Sequence, residues 1–292
     1  MGDLLIILVR GVGAGSIFAL VGMSFNVVYN ASGILNFAQG NMLVLGALFA
    51  YLTLPGVPDA TQWLMWLPVV AVGLAVLLAV QGWVTLAPLR SSVEQHSWLI
   101  TTLAASVIIG GILLICQGSA QQSVRSPFPP LRLMGTRVPA TYAITSGLAV
   151  FWWLGLRWFH TRVLTGLAIS AIAQDLEAAR AAGLRVRRLQ MIAFAISGLI
   201  VGSAGFAAAP VMAIANDSGI AYVMNGFVAA VVGGLGSNFG ALVGGVLVGV
   251  LSLYAAFEYG GEFQNAVSLA LLVVVLMLRP QGLFGRQAAR RV

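Results

Sequence analysis

Lysine is missing altogether: all fifteen basic residues are Arg. A Walker A loop needs a Lys to reach the β- and γ-phosphates, and Schiff-base chemistry needs one as well. The sequence therefore excludes a standard P-loop ATPase, and any ATP-driven work falls to another polypeptide. Charge of either sign is scarce, at 8% of 292 residues against about 25% in ordinary soluble domains. With 60% hydrophobic residues and a mean hydropathy of +0.97, the chain lacks the polar groups to cover a soluble surface. It reads as an integral membrane protein.

Other scarcities exclude chemistry. A single Cys116 cannot close an intrachain disulfide, and apolar packing is its expected role. The two histidines, His96 and His160, fall in connections and form no cluster with Cys or acids, whereas a metal site needs three or four convergent ligands. No metal is expected. The eight acids (Asp3, Asp59, Glu94, Asp175, Glu177, Asp217, Glu258 and Glu262) all lie at span ends or in loops. A proton-coupled carrier keeps an ionisable group inside its bundle, so that class is disfavoured. Ser197-Gly198 has no histidine within a span to activate the serine, which disfavours an intramembrane protease.

What the chain does have is a series of apolar stretches near the roughly 20 residues a bilayer core requires. Candidate spans lie near 4–29, 33–53, 64–86, 97–116, 138–157, 189–213, 222–235, 240–257 and 263–279. The stretch 222–235 is short, and Gly233, Gly234, Gly236 and Gly240 break it from its successor. The expected fold is all-α: a polytopic transmembrane bundle of about 8–9 spans, with a short, re-entrant or broken helix near 222–240. Residues 1–292 form one domain with a polar loop at 158–188. The start, Met-Gly-Asp, has no basic n-region, so no removable signal peptide is expected.

The +7 net charge marks a membrane side rather than a nucleic-acid partner, because the Arg fall in gaps between apolar segments. The 157–188 region holds Arg157, Arg162, Arg180, Arg185, Arg187 and Arg188 against Asp175 and Glu177. The tail holds Arg279, Arg286, Arg290 and Arg291. Both are expected to be cytoplasmic, which requires an even number of crossings between them, counts the short segment as one, and puts the N-terminus outside. Arg125, Arg132 and Arg137, in an outer loop with a Ser-Pro-Phe-Pro-Pro run, go against this rule.

Polar groups inside the spans are candidates for function. Asn26, Asn30, Asn36, Gln39 and Asn41 surround the junction of the first two spans, and Thr101, Thr102 and Ser106 lie on the fourth. Two readings are open for the amides: a hydrated translocation path, for which Asn26, Asn36, Gln39, Asn41, Thr101 and Thr102 are the candidates, or helix-to-helix bonding around a turn at Ser32-Gly33. For the threonines, local backbone bonding is the alternative. Glycine is abundant, and Gly198, Gly202, Gly236, Gly240 and Gly244 supply small-xxx-small spacings for close helix packing or a subunit seam.

The 158–188 loop is the most specific stretch. Ala-rich residues 176–182 suit a helix, with Asp175 placed to cap its start and Gly183 to end it in the left-handed region. A short helix of small residues is a surface that a partner's groove can hold; an interfacial amphipathic helix is the alternative. Glu177-Ala178-Ala179 followed by Gly183 resembles the EAA-xxx-G signature of ABC importer permeases. The pattern from Gly166 through Asp175 to Gly183 is similar to the branched-chain amino-acid permease family, LivH branch. So are Gly-Ser-Ile-Phe-Ala-Leu near residue 15, Gly-Ile-Leu-Asn-Phe-Ala-Gln-Gly at 33–40, Phe227 through Ser237, and Arg279-Pro-Gln-Gly-Leu-Phe-Gly. The resemblance covers essentially the whole chain. It departs at Asn41, where the family usually has an acid, at Gln39, where His is common, and at Ala87, where Arg often precedes Pro88-Leu89-Arg90.

The resemblance implies a non-enzymatic permease subunit in a bacterial inner membrane. Gly166, Asp175, Glu177, Ala178, Ala179 and Gly183 would form the segment that docks on an ATPase. A second homologous permease, two ATPase subunits holding ATP and magnesium, and an extracytoplasmic binding protein would complete the importer. Its cargo would be branched-chain or hydrophobic amino acids, or related small amides. A stand-alone channel or facilitator is the alternative that the amide cluster keeps open.

Overall fold

The computed structural model describes residues 2–285 except 57, 87–96, 119, 134–135 and 216. His96, Glu94, the Ala87–Arg90 stretch and the tail arginines Arg286, Arg290 and Arg291 lie outside the described residues. So do the side chains of Asp3 and Cys116.

Nine helices correspond to the nine apolar stretches: α1 (Gly2–Ser32), α2 (Gln39–Thr53), α3 (Ala60–Leu86), α4 (Ser97–Gln117), α5 (Ala140–Arg162), α8 (Val186–Ala208), α9 (Ser218–Gly233), α10 (Asn238–Tyr259) and α11 (Phe263–Leu278). Between α5 and α8 stand two short helices, α6 (Leu164–Gln174) and α7 (Leu176–Ala181). Among the described residues, five helical stretches are long and apolar enough to cross a membrane by themselves, beginning at Ile6, Ala60, Trp98, Val186 and Asn238. Large apolar side chains face outward, among them Val107 and Ile115 of α4 and Met277 of α11, each at least 75% exposed. Such a surface suits lipid and would fail in water.

The expected second span, 33–53, is different in detail. Residues 33–38 are not helical, and α2 keeps only 15 residues, about 22 Å at 1.5 Å per residue and short of a bilayer core of about 30 Å. Its first residue, Gln39, bonds to Ser24 of α1 and Ser197 of α8. Ser24 stands about 12 Å along α1 from the Ser32 end. The chain therefore turns back into the bundle after α1, and α2 begins near mid-depth. The short segment near 222–235 has the same form. A 3₁₀ turn at Ala209–Val211 ends α8, the chain turns inward, and α9 starts where its Gly219 abuts Gly40 of α2. These two partial helices meet by their N-termini.

The packing repeats with opposite direction. The close seat of α1 on α10 has its counterpart in α8 on α3, and α1 on α9 in α8 on α2. Helices α1–α4 and α8–α11 thus form two inverted halves joined by α5–α7, an arrangement common among membrane transporters. Glycine makes these seams possible by letting backbones approach. Gly11, Gly15, Gly245 and Gly249 lie between α1 and α10, and Gly198 and Gly202 press on Leu74, Ala75 and Ala71 of α3. Gly240 and Gly244 meet Gly233 and Ala229 of α9. Gly236 does not join them: it occupies the α9–α10 loop at φ +85°, where its carbonyl and N–H bond to Asn30 and Asn26.

One feature departs from the sequence expectation. Not every Arg falls between apolar segments: Arg10 lies within α1 and reaches the Arg137 carbonyl at 3.4 Å, the outward snorkelling expected of a long cationic side chain. The all-α class holds, with one small addition: the connection between α4 and α5 carries a short hairpin, β1 (Leu131–Leu133) with β2 (Thr136–Val138), in which Arg132 pairs with Arg137. The Ser-Pro-Phe-Pro-Pro run is ordered, with Phe128 packed edge-on against Trp63 at 5.5 Å.

Candidate functional site

The segment between α5 and α8 is built in two steps. First, α6 folds back on the end of α5. Gly166 is buried because a Cβ there would collide with the Phe159 carbonyl, and Ile169 and Ile172 are buried beside it. The Gly166 carbonyl accepts from Ser170 Oγ at 3.0 Å and lies 3.3 Å from His160 Nδ1. Ser170 Oγ is also 3.3 Å from that nitrogen. Since the Ser170 proton is engaged by Gly166, Nδ1 carries the imidazole proton and Nε2 is left as an acceptor. Burial holds the His160 pKa below its ordinary value, with the Gly166 hydrogen bond opposing, so the ring is neutral near pH 7.

Second, α7 is fixed at both ends. The Asp175 carboxylate accepts from the N–H groups of Glu177 and Ala178, each at 3.0 Å. That satisfies two of the four N–H groups a helix start leaves free. At the other end Gly183 takes φ +82°. Its N–H bonds to the Arg180 carbonyl at 2.9 Å and the Leu184 N–H to the Ala179 carbonyl at 3.1 Å, the paired bonds of a Schellman motif. Ala179 and Leu184 pack into the core, while Glu177, Ala178 and Arg180 are exposed. The helix expected over 176–182, with its two caps, is therefore present, anchored by one face and free on the other.

The amides are placed otherwise. Asn26 bonds both ways to the α9–α10 loop, at 2.9 Å to the Ser237 carbonyl and 2.8 Å from the Gly236 N–H. Asn36 exchanges two 2.9 Å bonds with Gln81 of α3. Gln39 donates to Ser197 Oγ at 2.9 Å and the Ser24 carbonyl at 3.2 Å, and accepts from Ser24 Oγ at 3.0 Å. Asn41 donates to Ser106 Oγ at 3.0 Å, with its Oδ1 buried and unpartnered beside Gly219. Thr101 and Thr102 bond to backbone carbonyls one turn back, at Trp98 and Leu99. The four amides thus bond between elements of the bundle, whereas Thr101 bonds within its own helix. Gln39→Leu takes the partner from the buried Ser197 hydroxyl, while Ser24 Oγ keeps the Val21 carbonyl, and is expected to destabilise the protein by about 1–3 kcal/mol, read as a lower thermal midpoint. Lost uptake at an unchanged midpoint would instead return Gln39 to the path.

A cavity of about 750 Å³ opens between α5, α6, the end of α1 and the start of α10. Arg157 and His160 line it together with Asn30, Asn238, Ser170 and the ring of Trp153. The Nε2 of His160 and the Oδ1 of Asn238 are themselves shielded from the opening and have no hydrogen-bond partner. No sequence pattern signals this convergence. Arg157 reads only as a marker of topology, and Asn238 lies in a glycine-rich turn at least 65 residues from its cavity neighbours on α5 and α6.

Comparison with known proteins bears on all of this. The family model described as Branched-chain amino acid transport system / permease component matches residues 7–276. The high-affinity branched-chain amino acid transport system permease protein LivH of Escherichia coli is 29% identical, over 97% of this chain and 96% of its own. The corresponding protein BraD of Pseudomonas aeruginosa is 28% identical over 98% and 97%. The permease protein LivM of Escherichia coli is 32% identical over a shorter stretch, 42% of this chain and 29% of LivM.

Proposed function

The chain belongs to the branched-chain amino acid transport system permease component family, and on that premise we propose that it is one of two homologous permeases in a bacterial inner-membrane ABC importer. Branched-chain or other hydrophobic amino acids, or related small amides, would arrive from an extracytoplasmic binding protein. ATP and magnesium would be held by two separate ATPase subunits, consistent with a chain that has no lysine for a phosphate loop. Similarity to both LivH and LivM supports a pair of related permeases rather than a single one.

The observation that carries the proposal is α7. A six-residue helix cannot sustain itself in water, yet this one is capped at both ends, anchored through Ala179 and exposed through Glu177 and Ala178. It is a firm handle on the cytoplasmic side. An ATPase moving α7 would act on α6, and through Gly166, Ile169 and Ile172 on α5 and α1. The bundle would then pass between outward- and inward-facing states. Bonds from the amides to neighbouring elements favour packing over the lining of a stand-alone channel.

Proteoliposomes test the two readings directly. With both permeases, the ATPases and the binding protein, labelled leucine is expected to accumulate only when ATP is hydrolysed. The chain reconstituted alone is expected to pass none. Leucine flux through the chain alone, without ATP, would overturn the importer reading in favour of the channel.

A further inference from the structure

The geometry points to a docking surface: the exposed arginine face of the β1–β2 hairpin receives carboxylates on the binding protein that delivers the substrate. The inference rests on the importer reading and adds to it the residues that meet this partner. It starts from where the hairpin stands. Between the hairpin and α6–α7 runs α5, with 23 residues and so about 34 Å at 1.5 Å per residue. The hairpin and the ATPase handle are therefore at opposite ends of the bundle, and on that reading the hairpin faces the compartment from which substrate arrives. It is fixed in place. Val138 is buried, and Leu131 and Val138 line an apolar recess with Leu8 and Val9 of α1 and Tyr142 of α5. Side chains alternate between faces along a strand, so Arg132 and Arg137 share the face turned away from the bundle, and both are exposed. Arg125, also exposed, stands on the same connection, between the Gln122–Ile214 backbone bonds and the Phe128–Trp63 contact.

Neither folding nor orientation accounts for these charges. Arg132 and Arg137 are direct register partners, and like charges opposite one another weaken a strand pair. Arginine at the end away from the ATPases also runs against the charge bias that orients membrane proteins. Nor does the chain neutralise them. No acid occurs between residues 95 and 174. Among the described residues, the acids exposed at this end, Asp59, Asp217, Glu258 and Glu262, form no ion pair with these arginines. A guanidinium fork matches a carboxylate in two parallel bonds, and two forks side by side on an anchored arm match an acidic protein surface. Complementary charge of this kind speeds encounter and fixes register more than it adds affinity, which suits a carrier that must dock, unload and leave.

The complete importer in phosphatidylcholine nanodiscs, with both faces open, tests this by ATP hydrolysis against rising concentrations of its leucine-loaded binding protein. Arg132→Glu combined with Arg137→Glu is expected to raise the concentration for half-maximal stimulation at least about tenfold, as two attractive pairs become repulsive. The rate at saturation should stay nearly unchanged. Arg132→Gln combined with Arg137→Gln should raise that concentration only about threefold. This neutral variant also removes the like-charge pair, so it should melt no earlier than the unaltered protein, which separates lost docking from a misfolded hairpin. Going from about 50 mM to about 500 mM salt should weaken docking to the unaltered complex and affect the neutral variant much less. An unshifted half-maximal concentration in the charge-reversed variant, or a fall in its saturating rate alone, would overturn the surface. A shift that appears only when phosphatidylglycerol is added to the discs would give the arginines to lipid headgroups instead. Failure of the binding protein to stimulate even the unaltered complex would remove the importer reading, and this surface with it.

Discussion

Replacing Gly40 with alanine is expected to destabilise the protein by at least about 3 kcal/mol, the upper end of ordinary overpacking. A Cβ on Gly40 would fall inside the shell of the Gly219 carbonyl oxygen, with Val223 behind it. The obstacle is backbone, so relief requires α2 and α9 to separate where their N-termini meet, and the two inverted halves are joined there. Gly219→Ala makes the useful contrast. Its Cβ would strike the Asn41 amide, which can rotate away by giving up its bonds to Ser106, at about 0.5–1.5 kcal/mol each. Gly73→Ala, with nothing near its Cβ, should gain up to about 1 kcal/mol of helix propensity. The order of thermal midpoints, read from monodisperse protein after heating, is therefore Gly73→Ala, unaltered protein, Gly219→Ala and lastly Gly40→Ala. A Gly40→Ala protein that melts with the unaltered one would show that the α2–α9 contact does not fix the bundle.

How much of this was legible beforehand depends on the range of the interaction. The nine apolar stretches became nine helices because span length and hydropathy are local properties. The caps of α7 were legible for the same reason, since Asp175 bonds only two and three residues ahead and Gly183 closes a turn of its own helix. The partial character of α2 was not. Residues 33–38 are as apolar as a span, but they leave the helix because Asn36 is held by Gln81 and Gln39 by Ser197, partners 45 and 158 residues away. Arg10 was passed over among apolar neighbours because its outlet, the Arg137 carbonyl, is 127 residues off. The cavity beside α6 joins residues from α1, α5, α6 and α10 that share no sequence pattern. Small-residue spacing showed which helices could approach closely, and it could not say that Gly236 belongs to a turn.

Gly183→Val is expected to cut ATP-driven uptake at least about tenfold, equivalent to about 1.4 kcal/mol, while leaving the thermal midpoint of the bundle nearly unchanged. A β-branched residue at φ +82° is strongly disfavoured, at about 1–3 kcal/mol. The side chain itself has open space, with nothing within 4 Å of its Cβ, so the cost is conformational and not a clash. Avoiding it breaks the bonds from Gly183 to Arg180 and from Leu184 to Ala179, which frees the C-terminal half of α7 and withdraws Leu184 from the core. Asp175→Ala attacks the other end, removing the cap on Glu177 and Ala178 at about 0.5–2 kcal/mol. With only six residues between the caps, either loss lets the helix fray throughout, so the two variants together should do little more than the worse one alone. Gly183→Asn, which tolerates the left-handed region, should keep most of the activity. The bundle is spared because α7 contributes only Ala179 and its flank to the interior. Co-purification of the ATPase subunits separates the causes: it should fall in step with uptake for Gly183→Val and hold for Gly183→Asn. Retained ATPase binding and uptake in both Gly183→Val and Asp175→Ala would mean that α7 is not the handle, whatever family the chain belongs to.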